Sequence, residues 1–164
     1  MGIRFGIITS SDRSSRGERV DETSPAVIKE VEAAGWQIIR SAIVPDDIVV
    51  IKETLKTWVQ LGDLDVILTT GGTGCSPRDV TPEATLEVVQ RLVPGLAEAM
   101  RSQSMQTNRH AMLSRGIAGI SDSVLIVNLP GSPRAAVENF LVIRSVLSHA
   151  VELLRNDPDS EKHH

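Results

Sequence analysis

The residues best suited to chemistry gather in four short segments. Thr69-Thr70-Gly71-Gly72-Thr73-Gly74 closes the apolar run Val66-Ile67-Leu68. Glycines at this density let the backbone take positive φ and approach a ligand closely, and successive N–H groups can then form a nest for an anion. Arg78-Asp79-Val80-Thr81-Pro82 follows shortly after. A carboxylate beside an anion cradle repels a phosphate unless a cation stands between them, and Mg²⁺ commonly bridges one or two carboxylates to phosphates. Asp79 therefore has two readings of equal weight: a ligand in a Mg²⁺–phosphate site, or a charge partner for a helix N-terminus worth about 0.3–1 kcal/mol. In Pro45-Asp46-Asp47 either aspartate could cap the next helix; Asp47 suits the cap and Asp46 the pocket. Thr9-Ser10-Ser11-Asp12 and Asn128-Leu129-Pro130-Gly131-Ser132-Pro133 add hydroxyls, a carboxylate and an amide. Arg78, Arg115 and Arg134 are placed to balance phosphate charge, although each equally suits a solvated surface.

Several chemistries lack support. Pro77 falls where a third glycine would complete G-x-G-x-x-G, and no Lys-Ser/Thr follows the loop, so neither a dinucleotide fingerprint nor a Walker loop is present. There is no G-x-S-x-G elbow, and His110 and His149 are isolated. The single cysteine, Cys75, rules out an intramolecular disulfide framework and a multi-cysteine zinc site, and reads as a small packing residue. Seventeen basic against 21 acidic residues give a net charge of −4. No basic run relieves it, which argues against a nucleic-acid partner. With no apolar stretch of about 18 residues and no signal-peptide layout in Met1–Gly6, the expectation is a cytoplasmic protein without a membrane partner.

The elements that must position these segments alternate strand and helix. Ile3–Ser10 reads as a buried strand, and Ser11–Thr23 as a long surface loop. Ser24-Pro25 opens a helix that stops at Gly35, and Trp36–Val44 is the next strand. Ile48, Ile51, Leu55, Trp58 and Val59 recur at helical spacing, and Asp65–Thr70 returns as a strand. Thr81 reads as the cap of a helix broken at Pro94-Gly95, with a second helix from Leu96 to Thr107 burying Leu96, Met100 and Met105. Gly116–Ile120 and Val124–Leu129 flank Ser121-Asp122-Ser123 as an edge hairpin, and Ser132-Pro133 opens a last helix to Leu154. The pattern predicts one domain over residues 1–155, a mostly parallel sheet with helices on both faces, and a flexible tail over 156–164 that contains His163 and His164. If the strands are parallel, all four polar segments lie at one carboxyl edge, where such sheets bind ligands.

The run from Thr69 to Gly74, followed by Pro77-Arg78-Asp79-Val80-Thr81-Pro82-Glu83-Ala84-Thr85, resembles the signature of the MoaB/Mog family, the molybdopterin adenylyltransferases of molybdenum-cofactor synthesis and the matching domain of gephyrin-like proteins. Ser11-Asp12, Met112-Leu113-Ser114-Arg115 and Asn128–Pro133 agree with it. The resemblance covers Ile3 to about Leu154 and implies a three-layer α/β/α sandwich, usually as a homotrimer. It implies adenylylation of molybdopterin by MgATP with release of pyrophosphate, and a molybdenum-insertion protein as downstream partner. By motif position Asp46 and Asp79 match the essential family carboxylates and the Mg²⁺ ligands. Ser11, Gly71, Gly72, Thr73, Gly74, Ser114, Asn128, Gly131 and Ser132 match the pocket that holds pterin or nucleotide. Two alternatives stay open: a non-catalytic molybdopterin-binding scaffold, and a different nucleotide-processing enzyme on the same fold. The Arg13–Asp21 loop has no role in either reading.

Overall fold

A computed structural model describes residues 2–156. The tail expected from residue 156 onward, with His163 and His164, lies outside the described residues apart from Asn156. The chain runs β1 (Arg4–Ser10), α1 (Asp12–Ser15), α2 (Thr23–Ala33), β2 (Gln37–Val44), α3 (Ile48–Gln60), β3 (Val66–Thr70), α4 (Thr81–Leu86), β4 (Arg91–Leu92) and α5 (Pro94–Met105). A 3₁₀ turn (Arg109–Leu113), β5 (Ala118–Ser121), β6 (Val124–Leu129) and α6 (Pro133–Leu154) follow.

The six strands form one sheet in the order β2-β1-β3-β6-β5-β4. β2, β1, β3 and β6 are parallel; at one side β5 runs antiparallel to β6, and β4 runs antiparallel to β5. Strands buried on both faces read as continuous apolar runs, and alternate residues here serve opposite layers. Phe5, Ile7, Val66, Leu68, Leu125 and Val127 pack with residues of α2, α5 and α6, including Val31, Met100 and Phe140. Ile8, Ile67 and Ile126 pack with Ile51 and Leu55 of α3 and Ala84 of α4. Each fully buried side chain of this size contributes about 1.5–3 kcal/mol, so a one-residue slip would expose a whole face. Phe5 stacks on Trp36 at 5.4 Å between centroids, with Phe140 edge-on to both.

Several local expectations change. A one-turn helix, α1, interrupts the expected loop after β1, with the Ser11 side chain accepting from Ser14 N. α2 starts one residue earlier than its serine signal, because Asp21 supplies the cap: its carboxylate accepts from Thr23 N at 2.9 Å and Ser24 N at 3.2 Å. Thr81 does not cap α4; it is that helix's first residue, and its buried hydroxyl has no partner among the described residues. β4 lies outside the hairpin and forms the sheet edge, so β6 sits mid-sheet. Cys75 and Met105 are exposed and do not pack in the core. Asp47 does cap α3, accepting from Val50 N at 3.0 Å, which leaves Asp46 free to turn elsewhere.

At the amino edge of the sheet, Asp65 is 3% exposed and accepts from Arg4 N, Nε and Nη2 at 2.8, 3.1 and 3.0 Å. Arg155 Nε and Nη2 reach it at 3.1 and 2.6 Å, fastening the end of α6 to β1 and β3. Burial pushes this carboxyl up, but the arginine hydrogen bonds outweigh it and hold the carboxyl below its ordinary range.

Candidate functional site

Parallel strands put the ends of β1, β2, β3 and β6 on one edge, so the four polar segments converge there. The chain leaves β1 toward β2 on one side and returns to β3 on the other, which makes the crevice between β1 and β3 the switch point where such sheets take ligands.

The glycine loop divides this edge into two clefts. The larger, about 390 Å³, is lined by Gly72, Thr73, Gly74, Asp79, Ser114, Asn128 and Gly131 together with the inner face of α5 and the 3₁₀ turn. The second, about 320 Å³, lies over β1 and β3 and is lined by Ser10, Ser11, Asp21, Thr23, Gly71, Gly131 and Ser132. Gly131 borders both.

Two loop glycines are required by geometry. Gly71 and Gly72 sit at φ +89° and +67°, and a Cβ would collide with Ser10 O and Thr81 Oγ1 respectively. Arg115 bolts the rest of the loop down. Its own N–H donates to Thr73 O at 2.8 Å, its Nε to Gly74 O at 2.7 Å, its Nη2 to Asp79 O at 2.6 Å, and its Nη1 pairs with Glu83. The guanidinium holds the Glu83 carboxyl below its usual range. Arg115 is thus spent on shaping the cradle. Arg78 pairs with Asp12 and Arg134 with Glu138, so each of the three arginines singled out from sequence has a carboxylate partner.

Asp79 folds back over its loop, with Oδ2 accepting from Ser76 N at 3.0 Å and Oδ1 without a partner among the described residues. Asp46 stands outside the lining of both clefts. Its Oδ1 accepts from the Ser10 hydroxyl at 2.7 Å and its Oδ2 from Asp12 N at 3.0 Å, while Asp46 N donates back to Asp12 Oδ1 at 3.0 Å. Asp12 also takes Arg78, so a chain Asp46–Asp12–Arg78 leads toward Asp79. Burial pushes the Asp12 carboxyl up, but the Asp46 amide and the Arg78 guanidinium hold it below its ordinary value.

Other sequence-selected residues are fully employed within the protein. Asn128 is 2% exposed; its Nδ2 donates to Thr69 and Thr85 hydroxyls at 2.9 and 3.0 Å, and its Oδ1 accepts from Ile117 N at 3.2 Å. Ser132 caps α6 and Ser11 caps α1. Sequence reasoning missed Asp21, Thr23 and Arg101. The Asp21 carboxylate takes the Thr9 hydroxyl at 2.8 Å, the Ser24 hydroxyl and two amides, which outweigh the upward push of burial. Thr23 Oγ1 donates to Gly131 O at 2.7 Å, tying α2 to the turn after β6. An aspartate three residues before Ser24 was a readable cap signal; Arg101 had none, because only the packing of α5 turns it toward the cleft.

Residues 6–149 match the family described as "Probable molybdopterin binding domain". The chain belongs to that family. The solved structure of the molybdopterin biosynthesis enzyme MoaB from Thermus thermophilus is 45% identical with a TM-score of 0.89, over 95% of this chain and 98% of that one. The molybdenum cofactor synthesis protein cinnamon of Drosophila melanogaster is 41% identical over 157 residues, 94% of this chain but 26% of that protein. The present chain therefore spans about a quarter of that relative's length. The molybdopterin adenylyltransferase of Haemophilus influenzae is 40% identical over 138 residues, 83% of this chain and 70% of that enzyme. In this molybdopterin-binding-family chain, no helix among the described residues is long and apolar enough to cross a membrane.

Proposed function

We propose that this chain is a molybdopterin adenylyltransferase of molybdenum-cofactor synthesis, using MgATP. An oxygen of the terminal phosphate of molybdopterin attacks the α-phosphorus of ATP; the bond from that phosphorus to the bridging oxygen breaks, and pyrophosphate leaves. The observation that carries this reading is the pair of clefts that share Gly131 and flank one glycine loop. Two phosphate-bearing substrates can lie on either side of the loop with their phosphates meeting over it.

In this reading the chain's work is positioning, since both reacting groups come from the substrates and no protein nucleophile is required. The backbone of Gly71 to Gly74 lies against the phosphates. Asp79, with one oxygen unpartnered, and Asp46 are the carboxylates that would hold Mg²⁺ arriving on the nucleotide. The donor set fits a hard, oxygen-seeking cation completed by phosphate oxygens, and among the described residues no cluster of three or more His, Cys, Asp or Glu side chains forms a cage for a resident metal. When bound, Mg²⁺ supplies charge neutralisation on the phosphates. Ser11, Thr73, Ser114, Gly131 and Ser132 border the substrates, and Asn128 supports the wall from behind. Residues 1–155 act as one ligand-binding domain.

Ile39 and Ile43 on β2 are exposed on a strand with one unpaired edge. Such an edge favours association; that the assembly is a homotrimer is what the family resemblance implies, and it is measurable as solution mass. The product would pass in the cytoplasm to a molybdenum-insertion protein. The deciding experiment is anaerobic incubation of the protein with molybdopterin and MgATP, following adenylylated pterin and pyrophosphate. Formation of both by wild type, with loss in a folded Asp79→Asn variant, is expected. Pterin binding without product would make the chain a scaffold, and neither binding nor product would refute the assignment.

A further inference from the structure

The larger cleft holds a cation that pairs with no carboxylate among the described residues. Arg101 lies on the face of α5 that also carries Ala97, Met100 and Ser104 to the cleft wall. Its Nη1 donates to Gly116 O at 2.9 Å and, more weakly, to Ser114 O at 3.4 Å. Its Nε and Nη2 make no hydrogen bond within the described protein. Among the described residues that line this cleft it is the one Arg or Lys. Arg78, Arg115 and Arg134, by contrast, are each committed to a carboxylate.

A guanidinium anchored by one nitrogen on backbone carbonyls is oriented while keeping free donors. Its planar fork matches the spacing of two phosphate oxygens, which a lysine ammonium does not. The cleft walls suit the remainder of such a ligand: Met100, Leu113, Pro130 and Ala135 offer apolar surface for a flat ring. The two carboxylates in the lining sharpen the need for this charge. Glu138 is neutralised by Arg134, whereas Asp79 makes no ion pair among the described residues and feels Arg115 only through space. A phosphate entering beside Asp79 meets a negative charge, and Arg101 is the cation in the cleft lining with donors free to receive it.

We propose that Arg101 is the residue that binds the phosphate group of the ring-bearing substrate in this cleft, and so selects phosphorylated ligands. The proposal rests on the adenylyltransferase reading only for the names of the two candidate ligands, molybdopterin and ATP, which share this chemistry. Wild type, Arg101→Lys and Arg101→Met are titrated separately with molybdopterin under anaerobic conditions and with ATP. Each titration is run at low and high ionic strength, with thermal midpoints recorded. Loss of one charge-assisted fork should weaken binding of one of the two ligands by about 10- to 100-fold in Arg101→Met. Arg101→Lys should recover part of it. Added salt should weaken that ligand's binding to wild type and leave Arg101→Met less affected, because screening acts on a charge the variant lacks.

A merely structural Arg101 would lower the thermal midpoint and leave the salt dependence of binding unchanged, and that result overturns the proposal. So does an Arg101→Met variant that binds both ligands as wild type does. Wild type that binds through Arg101 but never forms adenylylated pterin refutes the functional reading and leaves this assignment standing. An active wild type with an indifferent Arg101→Met does the reverse.

Discussion

Asn128→Ala tests whether that side chain is a strut or a ligand contact. The amide joins three elements: Thr69 on β3, Thr85 on α4 and the Ile117 amide entering β5. Thr85 would keep its bond to Thr81 O at 2.8 Å after truncation. The Thr69 hydroxyl, fully buried, would lose the Asn128 donor, and the Ile117 N–H would lose its acceptor. A buried polar group left unsatisfied costs about 1–3 kcal/mol. Two such groups give about 2–6 kcal/mol, and the lower half applies because Ile117 is only half-buried and water can reach it. The expected loss is about 3 kcal/mol, or a fall in Tm of about 6–12 °C for a chain of this size. Urea unfolding followed by the fluorescence of Trp36 and Trp58 measures it, with the slope m unchanged. Molybdopterin affinity, read at a temperature where the variant is fully folded, should stay within about threefold of wild type, a difference below about 0.7 kcal/mol. A variant as stable as wild type that has lost pterin binding would show that the amide acts on ligand, and would refute the strut argument.

Two further outcomes follow from other networks. Asp65→Asn should cost about 3 kcal/mol at pH 7, the low end for breaking a buried ion pair, because Arg4 and Arg155 side chains are 38% and 26% exposed and can turn to water. The folded carboxyl titrates below its unfolded value of about 3.9, so its stabilisation is complete above that value and lost as pH falls through the lower folded one. The stability gap between wild type and variant, measured by urea unfolding, should be level near neutral pH and shrink below about pH 4; a gap that widens on acidification would contradict this. Arg115→Lys should lower kcat/KM for adenylyl transfer about 10- to 100-fold, nearly as much as Arg115→Ala, because a lysine cannot grip Gly74 O and Asp79 O together. Near-normal kcat/KM in Arg115→Lys would mean that its charge matters and its fork does not.

Legibility from sequence followed the range of the physics involved. Buried apolar runs gave β1, β3 and β6, and Asp47, Gly35 and Ser132-Pro133 marked helix ends correctly, because capping and left-handed φ are satisfied within a few residues. α1, β4 and the 3₁₀ turn were missed. β4 is two exposed residues with no apolar pattern, and it exists because Arg91 and Leu92 find β5 beside them. Thr81 carried a sound local cap signal, yet its place against Gly72 left its side chain inside α4.

The sequence by itself determined that four polar segments follow four strands, that the turn after β3 needs its glycines, and that the whole pattern resembles one family. Those features depend on near neighbours along the chain, or on a motif long enough to be specific. Only the tertiary structure decided how the polar groups are used. Arg115 shapes the loop and Asn128 braces the sheet, while Arg101, silent in sequence, lines the cleft and forms no ion pair among the described residues. Hydrogen-bonding capacity is a property of the residue, but its partners lie tens of residues away and are chosen by packing. The same side chain can therefore serve substrate or scaffold until the fold brings those partners within reach.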